Sequence, residues 1–82
     1  MTETQPAYME MVDFIANGAT SRQVADYRPS PRAQRQVSEL LEGDKAGSLT
    51  EDEKAELDHY VELEHILHMA KIRAREILAG AR

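Results

Sequence analysis

The last third of the chain carries one unbroken helical pattern of apolar and polar positions. No glycine or proline interrupts residues 50–79, and apolar residues return there at alternating steps of three and four. That spacing is typical of a helix that packs lengthwise along a seam. The predicted seam consists of Tyr60, Leu63, Leu67, Ala70, Ala74 and Ile77.

This helix would be longer than the domain to which it belongs. Thirty residues make a helix about 45 Å long, whereas a compact domain of this chain length is roughly 30 Å across. A second apolar strip, formed by Leu57, Val61 and Ile72 with His65 and His68 between them, lies on roughly the opposite side. We therefore expect both apolar faces of the helix to be buried, one by the N-terminal helices and the other by a second copy of the chain.

Residues 6–46 are predicted to form short helices. The first begins near Pro6 and stops at Asn17-Gly18, since proline suits an early helical position and glycine suits a helix end. Thr20 and Gln23 have the spacing of a capping box, which predicts the start of a second helix. That helix must end before Pro29.

A third helix is predicted to start at Ser30-Pro31 and to end in a connecting turn at residues 43–48, which hold two glycines. The pattern as a whole predicts an all-α fold. Two or three short N-terminal helices would pack on one long C-terminal helix, in a single domain of residues 1–82 with a frayed tail at residues 1–5.

Composition points to a small domain that needs help to be stable. A chain of 82 residues buries only about 60–65% of its unfolded surface, and without cysteine it has no disulfides. No apolar run reaches the ~18 residues of a membrane span, and the first residues lack a basic, hydrophobic export signal. We expect a cytoplasmic protein that gains stability from a partner chain, and a second copy of the same chain is the first candidate.

Charge is distributed unevenly along the long helix. Residues 51–64 hold seven acids and one base, whereas residues 66–82 hold four bases and one acid. Two such helices could pair antiparallel, with acid against base. The residues expected to set the register are Glu62, Glu64, Arg73 and Arg75.

Metal binding is one alternative that the sequence leaves open. Glu62 and His65 form the Glu-x-x-His pair with which helix bundles hold two metal ions, and Glu64 and His68 stand four residues apart. However, the carboxylate of Glu62 is expected on a different side of the helix from His65, and the other helices offer few ligands. We therefore assign no metal or cofactor, and keep a carboxylate–histidine metal protein as the second alternative.

Enzymatic activity is not predicted. The chain lacks cysteine, a Gly-x-Ser-x-Gly elbow and a phosphate-binding glycine loop, and its three histidines share one helix. A DNA-associated regulator using residues 20–36 is the first alternative. The helices predicted at residues 6–16 and 20–27 could form a helix-turn-helix, and residues 20–36 carry a local charge of +3. The net charge of −5 and the shortness of the second helix argue against nucleic acid.

Several short stretches follow one another along the chain in a distinctive order. They are Asp13-Phe-Ile-Ala, Tyr27-Arg-Pro-Ser, Gly47-Ser-Leu-Thr-Glu, Leu63-Glu-His and Ala70-Lys-x-Arg-Ala-Arg. Together they resemble a family of short uncharacterised bacterial proteins over nearly the whole chain. Members of that family resemble small partner proteins encoded beside toxin or nuclease genes. The resemblance implies an antitoxin-like or accessory role and assigns no functional residue.

The sequence therefore predicts a small non-enzymatic protein–protein interaction module. It is expected to self-associate through the seam of the C-terminal helix, with a further unidentified protein as a second possible partner.

Overall fold

The computed structural model describes residues 5–80, which form four helices and no strand. These are α1 (Tyr8–Ala16), α2 (Ser21–Ala25), α3 (Pro31–Ala46) and α4 (Glu51–Gly80). The predicted all-α fold, with short helices contacting one long C-terminal helix, is confirmed for these residues. Apart from Gln5, the predicted frayed tail lies outside the described residues. None of the four helices combines the length and the apolar character that crossing a bilayer would require.

Side-chain caps fix where α2 and α4 begin. The Thr20 hydroxyl accepts the Gln23 N–H at 3.2 Å, and the Gln23 side chain accepts the Thr20 N–H at 2.9 Å. Thr50 and Glu53 repeat the same reciprocal pair at 3.1 and 2.9 Å. Each capping box satisfies two backbone donors that a helix start otherwise leaves free, and the box predicted at Thr20 and Gln23 is confirmed.

The turn between α3 and α4 is shorter than the predicted residues 43–48. Helix α3 continues through Gly43, and Gly47 ends it in the left-handed conformation with φ +69°. The Ser48 N–H donates to the Gly43 carbonyl at 2.9 Å, as in a Schellman motif. Glycine fits at position 43 because a Cβ there would come within 2.6 Å of the Leu49 side chain.

The core lies between α4 and the three short helices, each of which contacts it, α2 most extensively. Leu57 is predicted to belong to the second apolar strip with Val61 and Ile72, but it is buried in this core. The reason is that it lies only about a quarter turn from the seam, so the short helices still cover it. The buried apolar residues are Ala7, Met11, Ala25, Ala33, Leu40, Leu57, Leu67 and Ala74.

The described chain is long and thin, measuring 51 × 30 × 18 Å, with a radius of gyration of 14.8 Å. A compact chain of this length has a radius of gyration of about 12 Å. Packed helices lie about 8–10 Å apart. The thickness of 18 Å therefore accommodates two layers of helix and not three. The short helices cover one side of α4 and leave the other side open.

A polar contact joins α1 to the start of α3. The Glu10 carboxylate accepts the Ser30 N–H at 3.2 Å and the Ser30 hydroxyl at 2.5 Å, and it forms an ion pair with Arg32 at 3.4 Å. Burial raises the pKa of Glu10, but the hydrogen bonds from Ser30 and the charge of Arg32 outweigh it and lower the pKa below its usual value of 4.5. The carboxylate also sits at the positive end of α3, where a negative charge is favourable.

The lowered pKa of Glu10 predicts a pH-dependent contribution to stability. A carboxyl group with a lowered folded-state pKa stabilises the fold above its unfolded pKa, and this stabilisation disappears as the pH falls through the folded value. Glu10→Gln should therefore lower the free energy of unfolding by about 1 kcal/mol near neutral pH, with the difference from wild type shrinking below pH 4.5. Urea unfolding at several pH values measures this difference.

Glu39→Gln is the matched control, because Glu39 is exposed on the surface of α3. It should change the free energy of unfolding by less than about 0.5 kcal/mol at every pH. A Glu10→Gln effect that stayed constant down to acidic pH would show that the carboxylate charge is not responsible.

Candidate protein-interaction surface

The side of α4 that faces away from the short helices is rich in exposed apolar side chains. Five large apolar residues of α4 and one residue at the end of α1 are between 44% and 53% exposed. Contiguous exposed apolar area of this kind on a small protein commonly marks a contact surface. The residues are Ile15, Val61, Ile66, Met69, Ile72 and Ile77.

The predicted seam lies on the opposite, inner side of α4. Leu67 and Ala74 are only 4% exposed, because α1, α2 and α3 cover them. They are unavailable to a second molecule while the chain is folded, so the predicted interface is wrong at these two positions. Tyr60, Leu63 and Ala70 are half-buried at the edge of the same face.

Ile77 is the exposed member of the predicted seam, at 44%. It lies on the same flank of α4 as Ile66 and Met69, and beyond Ile66 this flank meets Ile15 of α1. We call these four residues the outer apolar strip. The contact role predicted for Ile77 stays a prediction, now as part of this strip.

Ile66 forms a ridge between two grooves. The first groove, of about 550 Å³, runs between the start of α1 and α4; the second, of about 300 Å³, lies where α1, α2 and α4 meet. Both have mainly apolar walls. The first is lined by Tyr8, His59, Glu62, Leu63, His65 and Ile66. The second is lined by Phe14, Ile15, Ala19, Val24, Ile66, Leu67 and Ala70.

Polar groups are concentrated at one edge of the first groove. The rings of Tyr8 and His59 meet edge to face, with centroids 5.2 Å apart and planes inclined at 69°. The Nδ1 atom of His59 lies 3.7 Å from a carboxylate oxygen of Glu62, one turn further along α4. This edge therefore offers an exposed carboxylate beside an aromatic pair, a setting that suits a cationic side chain.

A second exposed strip, which we call the histidine strip, contains Val61, His65, His68 and Ile72. Leu57, predicted to belong to it, does not. The structure places Glu62 and His65 in the same groove, contrary to the expected separation. Within residues 5–80, however, no three side chains of the metal-binding types come together in a way that could hold an ion. The predicted pair lacks a third protein ligand there.

Two tyrosines, Tyr27 and Tyr60, bring polar groups into the interior. Tyr27 packs on Phe14 with ring centroids 4.5 Å apart, and its buried hydroxyl has no hydrogen-bond partner among the described residues. Burial raises the pKa of Tyr27 and of Tyr60, and nearby carboxylates, including Glu10, raise both further. Both phenols therefore stay neutral at physiological pH, and we assign them a structural role at the centre of the helix layer.

The basic segment of residues 20–36 does not form an extended recognition surface. Helix α2 is five residues long and packs against α4, and Arg32 is held by Glu10. Arg22, Arg28 and Arg35 are exposed at separate positions. A helix that reads the major groove must project several side chains from one free face. Most of α2 instead packs against α4 in the core.

Comparison of the chain with known protein families, with curated proteins and with solved structures finds no match in any of the three. The resemblance to a family of short bacterial proteins therefore stays a prediction.

Proposed function

We propose that this chain is a small non-enzymatic protein–protein interaction module that self-associates through the outer face of α4. The observation that carries the proposal is the exposure of the outer apolar strip, Ile15, Ile66, Met69 and Ile77, on the side that no helix of the described chain covers. Burying these side chains removes apolar area from water, which is the main favourable contribution to most protein association.

The accessible surface supports the same proposal. The chain exposes 6105 Å², whereas a compact monomer of its 9.3 kDa mass exposes about 5,000 Å². The excess of about 1,100 Å² over a compact monomer accompanies the elongated shape of the chain, in which the short helices leave the outer side of α4 uncovered.

The biological role that we attach to this module is an accessory or antitoxin-like one. It rests on the resemblance in the sequence. In such a role, the histidine strip would remain free on a self-associated pair and offer Val61 and Ile72 to another protein.

Sedimentation equilibrium of the purified chain tests self-association. We expect a dimer at micromolar concentration and a concentration-dependent return to monomer on dilution. A small standard-size interface typically gives a dissociation constant around the micromolar range or below. Sedimentation as a monomer throughout the micromolar range would refute the proposed function.

A further inference from the structure

The outer face of α4 is complementary to itself when two copies run in opposite directions. We propose that the chain forms a two-fold symmetric antiparallel dimer whose axis crosses α4 between Leu67 and His68, so that Ile66 packs against Met69 and Glu62 pairs with Arg73 of the other copy. This inference rests on the proposed function, since it specifies how the self-association takes place.

Apolar residues lie at the centre of this arrangement. In a two-fold interface, residues at equal distances on either side of the axis face each other. Ile66 and Met69, 53% and 51% exposed, are each one and a half residues from the axis, on opposite sides. Ile66 of each copy therefore packs on Met69 of the other copy, which gives two such contacts. Ile66 of one copy then lies at the level of the groove that Phe14, Ile15 and Val24 form with α4 in the other.

Charged residues flank the apolar centre symmetrically. Glu62 and Arg73 are each five and a half residues from the axis, and their side chains are exposed to 74% and 71%. Arg73 of one copy would reach the first groove of the other, where the Glu62 carboxylate lies beside the ring pair of Tyr8 and His59. The ion pair of Arg73 with Glu76 in the same chain, at 3.1 Å, leaves part of the guanidinium free for this contact.

A parallel arrangement of the same two helices opposes like charges, and a shifted antiparallel one loses the pair of Glu62 with Arg73. A parallel pair places Glu62 against Glu62 and Arg73 against Arg73, and it sets the whole acidic half of α4 against its copy. An antiparallel pair shifted by one residue brings Glu62 onto Ile72 in one direction and onto Ala74 in the other. Like charges placed together across an interface disfavour the wrong pairing more than matched charges favour the right one.

The absence of cysteine allows a single spin label to measure the direction of the pair. Lys54→Cys places one nitroxide on the exposed start of α4. In the antiparallel dimer the two labels lie on opposite sides of the axis, about 40 Å apart at about 1.5 Å per residue. In a parallel dimer they lie within about 20 Å, because the helix axes are only about 8–10 Å apart. Pulsed electron paramagnetic resonance distinguishes the two distances.

Charge exchange tests the register. Glu62→Arg and Arg73→Glu should each weaken the dimer roughly tenfold, since each converts two attractive pairs into two repulsive ones. The double variant Glu62→Arg/Arg73→Glu restores both pairs and should recover most of the loss, as seen by sedimentation. The recovery is measured against the two single variants. Glu62→Arg already removes the contact of Glu62 with His59, and Arg73→Glu already removes the ion pair of Arg73 with Glu76.

Each outcome decides something. A label separation of about 40 Å, together with recovery in the double variant, supports the proposed dimer. A separation of less than about 20 Å, or losses that simply add in the double variant, overturns the antiparallel register while self-association stands. A monomer with no dipolar coupling between labels overturns both this inference and the proposed function.

Discussion

Replacing Leu67 by aspartate is expected to unfold the chain. Leu67 is 4% exposed between α4 and the short helices, so the variant loses a buried leucine and moves a carboxylate out of water into an apolar core. Losing the leucine alone costs about 2–5 kcal/mol, and desolvating the carboxylate adds to that loss, giving a total above about 4 kcal/mol. A chain of this size has a total stability of roughly 4–12 kcal/mol.

Circular dichroism with thermal melting measures this effect, and Ile66→Asp is the matched control. Ile66 is the neighbouring residue on the same helix but is 53% exposed, so the aspartate there remains in water. The control should keep its helical spectrum and its cooperative melt. If Leu67→Asp folded as well as Ile66→Asp, the assignment of the inner and outer faces of α4 would be wrong.

Ile66→Asp is in turn expected to abolish the dimer while the chain stays folded. The substitution removes the central side chain of the outer apolar strip and places two carboxylates near the two-fold axis, against apolar groups of the other copy. Removing a central apolar anchor and burying an unpaired charge typically costs about 2–4 kcal/mol, which corresponds to a loss of affinity of roughly 30- to 1,000-fold. Sedimentation equilibrium of the folded variant measures it.

Val61→Asp is the control for this second experiment. Val61 is also 53% exposed on α4, but it belongs to the histidine strip on the other flank. It should leave the dimer within about threefold of wild type, because surface changes outside an interface usually alter its free energy by less than about 0.5 kcal/mol. Equal losses in both variants would mean that the two flanks of α4 form one undivided contact.

The starts of the helices were predictable because each depends on a few adjacent residues. Thr20 with Gln23 and Thr50 with Glu53 act through backbone donors within one turn, so their spacing in the sequence carries the information. The end of α3 was predicted four residues too early. Gly43 is a turn residue by type, yet the helix continues through it and Leu49 packs against it, and that contact is visible only in three dimensions.

The sequence of α4 does not show which of its apolar sides packs against the short helices. Apolar residues occur on several sides of this helix, and the regular seam that includes Leu67 and Ala74 is as well suited to the short helices as to a second molecule. Which face is covered depends on how α1, α2 and α3 dock, and their contact residues are few and small. The sequence therefore predicted two apolar faces, and the structure buries Leu67 and Ala74 of the seam while Ile77 stays exposed.

Half of the buried apolar residues in the described chain are alanines: Ala7, Ala25, Ala33 and Ala74, beside Met11 and three leucines. With so little side-chain volume between them, the helix backbones lie close together. A larger residue at any of these sites would have to push two helices apart, at a cost of about 1–3 kcal/mol. The solvent-facing flanks of α4, unlike this core, leave room for larger side chains.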